Sequence, residues 1–116
     1  MLMVCLVLLI PTQVRADVLT KKGGVNYFGQ QKETWYNLPM QRVLNRAHKV
    51  FWTDDRVYWI DDRGVKRFGS YIIVAADYSV HPYGSLVETS LGTGIVLDTG
   101  RFTEANNTQI DIAVSW

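Results

Sequence analysis

Residues 71–100 read YIIVAADYSVHPYGSLVETSLGTGIVLDTG, and the spacing of their apolar runs decides the fold. The stretch consists of three β-rich runs separated by two turns: YIIVAAD (71–77), Pro-Tyr-Gly (82–84), SLVETSL (85–91), Gly-Thr-Gly (92–94) and IVLD (95–98). Short apolar runs bounded by glycine and proline turns are typical of β-strands. Two of these runs end in an aspartate, Asp77 and Asp98. An aspartate commonly opens a turn, so a turn role is the first interpretation of each carboxylate.

The segments on either side continue the β pattern. Further β-rich runs are VNYF (25–28), ETWY (33–36), VYWI (57–60), VKRF (65–68) and QIDIAVSW (109–116). The first two are separated by a turn-forming segment at 29–32, which predicts a hairpin. Short strands at a spacing of about ten residues predict a small closed β-barrel. The expected fold class is therefore mainly β, with one short helix.

That helix is expected between the strand at 33–36 and the strand at 57–60. Its apolar positions follow the helical repeat: Met40, Val43, Leu44 and Ala47. Asn37 is a suitable cap, and Pro39 fits the first turn. The helix is expected to end near His48 and Lys49, because basic side chains are favourable at the C-terminal end of the helix dipole.

The N-terminal residues have the pattern of an export signal. The first ten are apolar but too few to span a bilayer, which needs about 20 residues. A proline follows, and then Val14-Arg15-Ala16, which places small or apolar residues at the −3 and −1 positions of a cleavage site after Ala16. We therefore expect a signal peptide at 1–16, a flexible lead-in at 17–24 and one folded domain at 25–116. The protein would be secreted, extracytoplasmic or in the cell wall, without stable membrane insertion after cleavage. The alternative is a buried N-terminal strand or helix.

Composition excludes several classes of function. The single cysteine, Cys5, lies in the predicted signal, so the mature chain has no disulfide and no thiol nucleophile. Without residues 1–16 the chain carries 11 basic and 11 acidic side chains, which gives no reason to expect nucleic acid as a partner. Two histidines, His48 and His81, are too few and too far apart for a transition-metal site. We expect no metal and no cofactor.

Three aspartates lie within or at the end of apolar β-rich runs: Asp77, Asp98 and Asp111. Burial of a lone carboxylate costs several kcal/mol unless it is paired or hydrogen-bonded. Three such residues within one stretch suggest a shared site, in which proximity raises at least one pKa toward the range of a general acid. The pairs at 54–55 and 61–62 have polar, turn-like surroundings and are expected on the solvated surface.

Residues 74–114 resemble the 3D domain, which is named for three aspartates. The motif combines A-x-D, P-x-G, a strand ending in D-T-G, and I-D followed by Ile or Val. It occurs in lytic transglycosylases related to the membrane-bound type A enzymes and in wall- and spore-associated proteins of Gram-positive bacteria. The resemblance implies a double-psi β-barrel. Ser85 stands where the family usually has Thr, and the loop at 101–109 differs from the usual G-A-I-K-G.

The resemblance also implies roles for individual residues. Asp111 would be the catalytic acid and base, with Asp98 and Asp77 as neighbouring charges and substrate contacts. Thr99 and Gly100, which complete the D-T-G motif, would border the substrate groove. For the remaining substrate candidates the alternatives stay open: His81 is a substrate contact or a turn residue, and Tyr36, Tyr78 and Tyr83 are core residues or platforms for sugar rings.

The function expected from these observations is cleavage of peptidoglycan glycan strands by a lytic transglycosylase, a lyase. Such an enzyme cleaves the β-1,4 bond between N-acetylmuramic acid and N-acetylglucosamine and leaves 1,6-anhydro ends. One acid/base suffices for this reaction, whereas a hydrolase needs a second carboxylate, a role that Asp98 is able to fill. A non-catalytic module that binds wall glycan is the alternative outside the enzyme class. An aspartic protease is disfavoured because the chain has one D-T-G triplet and not two.

Overall fold

The computed structural model describes residues 17–51 and 57–116. The predicted signal peptide at 1–16 and the pair Asp54 and Asp55 lie outside the described residues. The strands in the described part are β1 (Val25–Phe28), β2 (Gln31–Tyr36), β3 (Tyr58–Ile60), β4 (Lys66–Phe68), β5 (Tyr71–Ala75), β6 (Leu86–Thr89), β7 (Gly92–Asp98) and β8 (Ile110–Ala113). One α-helix, α1 (Gln41–Phe51), and one 3₁₀ helix (Arg101–Glu104) complete the described elements. The prediction of a mainly β fold with one α-helix is confirmed.

The strands pair in the order β1-β2-β8-β5-β4-β3, and β7 joins β5 to β6. The hairpin predicted at the start is the antiparallel pair β1–β2. Two pairs are parallel, β2 with β8 and β5 with β7. In the described part of the chain, β1, β3 and β6 each pair with one neighbour. The sheet is therefore open, and the closed barrel expected from the sequence is not shown.

Strand β5 is the centre of the sheet. Its first residues pair with β4 and its last with β8, while its other edge pairs with β7. A register shift between Val74 and Ala75 places Ala75 opposite Asp98 of β7. On the opposite edge, Ala75 pairs with Asp111 of β8. The pairing thus brings two of the three predicted aspartates to the same end of β5.

Helix α1 packs on the face of the sheet that carries these aspartates. The helix residues Val43 and Ala47, with Met40 just before the helix, contact a core cluster of strand residues: Phe68, Ile73, Ile95, Leu97 and Ala113. Burying each large apolar side chain contributes roughly 1.5–3 kcal/mol. The predicted apolar face is confirmed. The predicted cap is wrong, because α1 begins at Gln41 and the Asn37 amide instead donates to the carbonyl of Trp116 (3.1 Å).

The Gly-Thr-Gly segment at 92–94 was expected to be a turn, and this prediction is wrong. These residues form the start of β7, and Thr89 pairs with Gly92 across the β6–β7 hairpin. A Cβ on Gly94 would lie 2.8 Å from Cγ1 of Val74 and 3.3 Å from the carbonyl oxygen of Ile72. Gly94 is therefore needed for close approach of β7 to β5, not for a turn.

Two buried acids outside the aspartate pair hold the fold together. Asp61, expected on the surface, forms ion pairs with Arg67 (2.8 Å) and Arg63 (3.3 Å). Its hydrogen bonds from these arginines and from the Val65 backbone outweigh burial and lower its pKa to about 2. Glu33 is fully buried and accepts hydrogen bonds from Asn26 (3.1 Å) and from both the backbone (2.8 Å) and hydroxyl (2.6 Å) of Ser90. It thereby ties the first hairpin to the β6–β7 turn.

Candidate active site

Asp98 and Asp111 lie on the helix-facing side of the sheet, on the two strands that pair with the end of β5. They flank Ala75 on neighbouring strands, so their backbones lie about 10 Å apart, twice the strand spacing. The negative charge of Asp98 raises the pKa of Asp111. The charges of both aspartates also raise the pKa of Tyr36. The three groups therefore form one electrostatic unit.

Asp111 has the pKa expected of a general acid. Its side chain is partly buried, and loss of hydration is the main reason that its pKa rises from 3.8 to about 6. The charge of Asp98 raises the pKa further, whereas a hydrogen bond from the Thr34 hydroxyl to Oδ1 (3.0 Å) opposes the rise. Thr34 lies directly opposite Asp111 in the parallel pair β2–β8. A group with this pKa exchanges protons near neutral pH.

Asp98 is held in a fixed orientation by donors on both oxygens. The Tyr36 hydroxyl donates to Oδ2 (3.0 Å), and the backbone N–H of Thr99 donates to Oδ1 (2.9 Å). Burial and the adjacent charge of Asp98 raise the pKa of Tyr36 far above its usual value. Tyr36 therefore remains a neutral donor at any physiological pH. Its place on β2, two residues after Thr34, puts both hydroxyls on the same face of the strand.

The third predicted aspartate, Asp77, belongs to the turn after β5. The strand ends at Ala75, and Oδ1 of Asp77 accepts hydrogen bonds from the Ser79 backbone (2.8 Å) and hydroxyl (2.6 Å). These bonds, with the nearby His81, lower the pKa of Asp77. Its carbonyl oxygen also accepts from the His81 backbone (2.8 Å). The structure thus brings Asp98 and Asp111 together, while the contacts of Asp77 shape a turn.

A cavity of about 210 Å³ opens beside Asp98, between α1 and the D-T-G loop. Its lining residues are Arg42, Val43, Arg46, Tyr78, Leu97, Asp98 and Thr99. A neighbouring cavity of about 340 Å³ lies along residues 38–43 and also reaches Asp98. Asp111 lines neither cavity. Of the two paired carboxylates, Asp98 is therefore the one that faces the open space.

The predicted substrate residues occupy different places around this cavity. Tyr78 and Thr99 line it. Tyr83 packs edge-on against Tyr78, with ring centroids 5.8 Å apart, and stacks on Phe51 at 5.9 Å. Gly100 has an extended backbone and precedes the 3₁₀ helix. His81 lies in the turn formed by residues 77–81, beside Asp77.

Sequence reasoning missed Thr34, Arg42 and Arg46 as site residues. The two arginines lie one helical turn apart on α1, and each directly precedes a buried residue, Val43 or Ala47. Their spacing alone would have placed them together at the border of the apolar face. Their nearness to Asp98 follows from the packing of α1 on β7, which the local pattern does not reveal.

The described residues hold no group of three or more His, Cys, Asp or Glu side chains arranged to bind a metal ion. Within 17–51 and 57–116 no helix has both the length and the apolar character needed to cross a bilayer.

Comparison of the chain with protein-family models, with curated proteins and with solved structures found no match.

Proposed function

We propose that this protein is a lytic transglycosylase that cleaves the β-1,4 bond between N-acetylmuramic acid and N-acetylglucosamine in peptidoglycan. The observation that carries the proposal is the paired carboxylates, in which Asp111 has a pKa raised to about 6 beside the oriented carboxylate of Asp98. Glycosidic bond cleavage commonly uses an acid that is protonated near neutral pH together with a second carboxylate.

The proposed reaction uses Asp111 twice. Its proton passes to the glycosidic oxygen as the bond from C1 of the muramyl residue breaks, which gives an oxocarbenium-like transition state. The carboxylate of Asp98 stabilises the positive charge that develops on the sugar. Asp111, now ionised, takes the proton from the C6 hydroxyl, whose oxygen bonds to C1 and closes the 1,6-anhydro ring. The proton count is restored, and the C6 oxygen of the substrate itself replaces the leaving group, so neither water nor an enzyme nucleophile is needed.

The proposed fold is a double-psi β-barrel of the 3D type. Two parallel pairs among antiparallel ones, β2–β8 and β5–β7, support this proposal, since such mixed pairing is unusual in a simple meander. The Asp98-Thr99-Gly100 turn at the end of β7 supports it as well, because the turn projects beside the cavity. Asp77 remains part of the proposed site only as the outer residue that shapes the turn bearing Tyr78.

The proposed setting is outside the cytoplasm, in contact with the cell wall. Peptidoglycan is found only there, and the apolar N-terminal run followed by Val14-Arg15-Ala16 supports export. The protein's partner in this proposal is the glycan strand itself. Tyr78 and Thr99 are the residues proposed to contact the sugar, because both line the cavity beside Asp98.

The test is incubation of the protein with purified peptidoglycan, followed by mass spectrometry of the released fragments. We expect anhydromuramyl ends from the wild type and none from Asp111→Asn. The matched control is Asp62→Asn, which removes an exposed carboxylate far along the chain from the pair. Reducing muramyl ends would replace the proposal with hydrolysis, in which Asp98 activates water. Binding without any released product would replace it with a non-catalytic wall-binding module.

A further inference from the structure

Two arginines beside Asp98 have no part in the proposed chemistry. Arg42 and Arg46 lie on the same side of α1, separated by one turn, and both line the cavity of about 210 Å³. Asp98 is the only acidic residue in that lining, so two guanidinium groups face one carboxylate. Both oxygens of that carboxylate already accept hydrogen bonds, from Tyr36 and from Thr99. The cavity therefore has an excess of positive charge.

Arg46 is held in place by aromatic rings. Its guanidinium carbon lies 4.0 Å from the centroid of the Tyr83 ring and 5.7 Å from that of Tyr78. Tyr83 is in turn fixed by its stack on Phe51 and its edge contact with Tyr78. A guanidinium that stacks on a ring uses its face and leaves its N–H edge available for hydrogen bonding. Its orientation is thus set before a ligand arrives, which lowers the entropy cost of binding.

Neither arginine is neutralised within the described part of the chain. The ion pairs recorded there join Asp61 to Arg63 and Arg67, and Arg101 to Glu104. No carboxylate among residues 17–51 and 57–116 lies within 4.0 Å of the side-chain nitrogens of Arg42 or Arg46. The nearest polar contact of Arg46 is a long one, from Nη1 to the Tyr78 hydroxyl at 3.5 Å. The guanidinium donors therefore remain largely free to bind a ligand anion.

We propose that this cavity is a subsite for the carboxylate of an acidic sugar, bound by Arg42 and Arg46. A guanidinium matches the two oxygens of a carboxylate, which makes it better suited to this group than to a neutral hydroxyl. In a wall glycan the group nearest the sugar ring that provides such an anion is the lactyl ether of N-acetylmuramic acid, whose carboxylate is free wherever the stem peptide has been removed. This choice of ligand rests on the proposed function. It places the muramyl residue, whose C1 reacts, against Asp98.

The experiment measures binding of two disaccharides that differ only in this group. One probe is N-acetylglucosaminyl-β-1,4-N-acetylmuramic acid, and the other is N,N′-diacetylchitobiose, which lacks the lactyl ether. Neither contains the bond that a lytic transglycosylase cleaves, so the unmodified protein is titrated directly, by calorimetry or NMR. We expect the muramyl disaccharide to bind on the order of tenfold more tightly at low salt, as charge-assisted hydrogen bonds predict. The preference should shrink as salt is added.

Substitution of the arginines tests the assignment of residues. Arg46→Gln and Arg42→Gln are each expected to remove most of the preference while affinity for chitobiose stays unchanged. Lys49→Gln, which removes an exposed positive charge from the same helix, should leave the preference intact. Equal binding of the two disaccharides by the wild type, or no measurable binding of either, would overturn the inference. An equal loss of both affinities in the arginine variants would overturn it too.

The outcome is separable from that of the proposed reaction. A muramyl preference that depends on Arg42 and Arg46, in a protein that releases no product from peptidoglycan, supports the subsite and rejects the transglycosylase. Anhydromuramyl products from a protein that binds both disaccharides equally support the transglycosylase and reject the subsite.

Discussion

The Tyr36 hydroxyl donates a hydrogen bond of 3.0 Å to Oδ2 of Asp98, and it does so from a strand that never pairs with the strand carrying Asp98. Strands β8 and β5 lie between these two strands, and the charge of Asp111 on β8 also acts on Tyr36. Tyr36 therefore interacts with both carboxylates. Because the charge of Asp98 acts on Asp111, the titration of Asp111 is the most direct probe of the site.

The pH dependence of glycan cleavage is the first prediction. Because the proposed reaction needs a protonated Asp111 as its acid, the rate is expected to fall as pH rises above about 6. In Asp98→Asn the raising effect of the Asp98 charge is lost, so the fall should begin at a lower pH, displaced by up to about one unit. The measurement is the rate of release of muramyl ends against pH. An identical profile in wild type and variant would show that the two carboxylates do not interact.

Thr34→Val is predicted to move the same profile in the opposite direction. The Thr34 hydroxyl donates to Oδ1 of Asp111 and lowers its pKa, so its replacement by an isosteric methyl group raises that pKa. The fall in rate should then begin at a higher pH, by up to about one unit. Thr108→Val is a suitable control, because Thr108 is exposed and bonds to Asn106. A shift of the Thr34→Val profile to lower pH would contradict the hydrogen bond as described.

The stability of Asp111→Asn relative to wild type is predicted to depend on pH. The carboxyl group has a pKa of 3.8 before perturbation and about 6 in the folded protein. Since the folded-state pKa is raised, this group contributes stability below about pH 4 that is lost as pH rises through 6. Relative to Asp111→Asn, the wild type should lose about 2 kcal/mol between pH 3.5 and pH 7, after allowance for solvent screening of a partly exposed group. Urea unfolding at the two pH values measures this change. A constant difference would mean that Asp111 has a normal pKa.

Gly64→Ala is predicted to destabilise the fold by about 3 kcal/mol. Gly64 has φ +83°, and a Cβ there would lie 2.9 Å from Cδ1 of Trp116, whose ring packs edge-on against Trp35. The added methyl group therefore combines backbone strain with overpacking. Gly29→Ala is the matched control, because Gly29 has φ +64° and nothing within 4 Å of the added carbon. It should lose only about 1 kcal/mol, the backbone contribution alone. Equal losses in urea unfolding would show that the Trp116 contact is irrelevant.

The strands were predictable because the information for each is local. Each of the eight described strands overlaps a β-rich run, most of them bounded by glycine, proline or aspartate, and the apolar face of α1 follows from its repeat. Gly94 was wrongly expected in a turn, and the local sequence could not have corrected this prediction. A glycine that permits close approach of two strands has the same sequence signature as a glycine that makes a turn, and only the position of Val74 distinguishes them.

The acidic residues show the same limit. Asp61 and Asp98 both follow short β-rich runs, yet Asp61 is fixed by Arg67 whereas Asp98 faces a cavity. Their different surroundings depend on which strands become neighbours. The interaction of Asp98 with Asp111 needed the register shift at Val74 and Ala75, and such a shift leaves no mark in the sequence of β5 itself. The apolar settings of three aspartates and the resemblance to a family motif both suggested a shared site, but neither gave the register that relates Asp98 to Asp111.

The insertion of β8 between β2 and β5 has a consequence for how this chain is made. A ribosome releases β1 and β2 first, yet strand pairing joins them to the rest of the sheet only through β8, whose Asp111 lies 77 positions after Thr34. Until β8 has been synthesised, the β1–β2 hairpin therefore has one unpaired edge, that of β2. Such long-range closure slows folding to roughly milliseconds or seconds and exposes the waiting edge to chaperones and to aggregation. Since Asp111 lies on β8 and Asp98 on β7, their arrangement on either side of β5 exists only after β8 has joined the sheet.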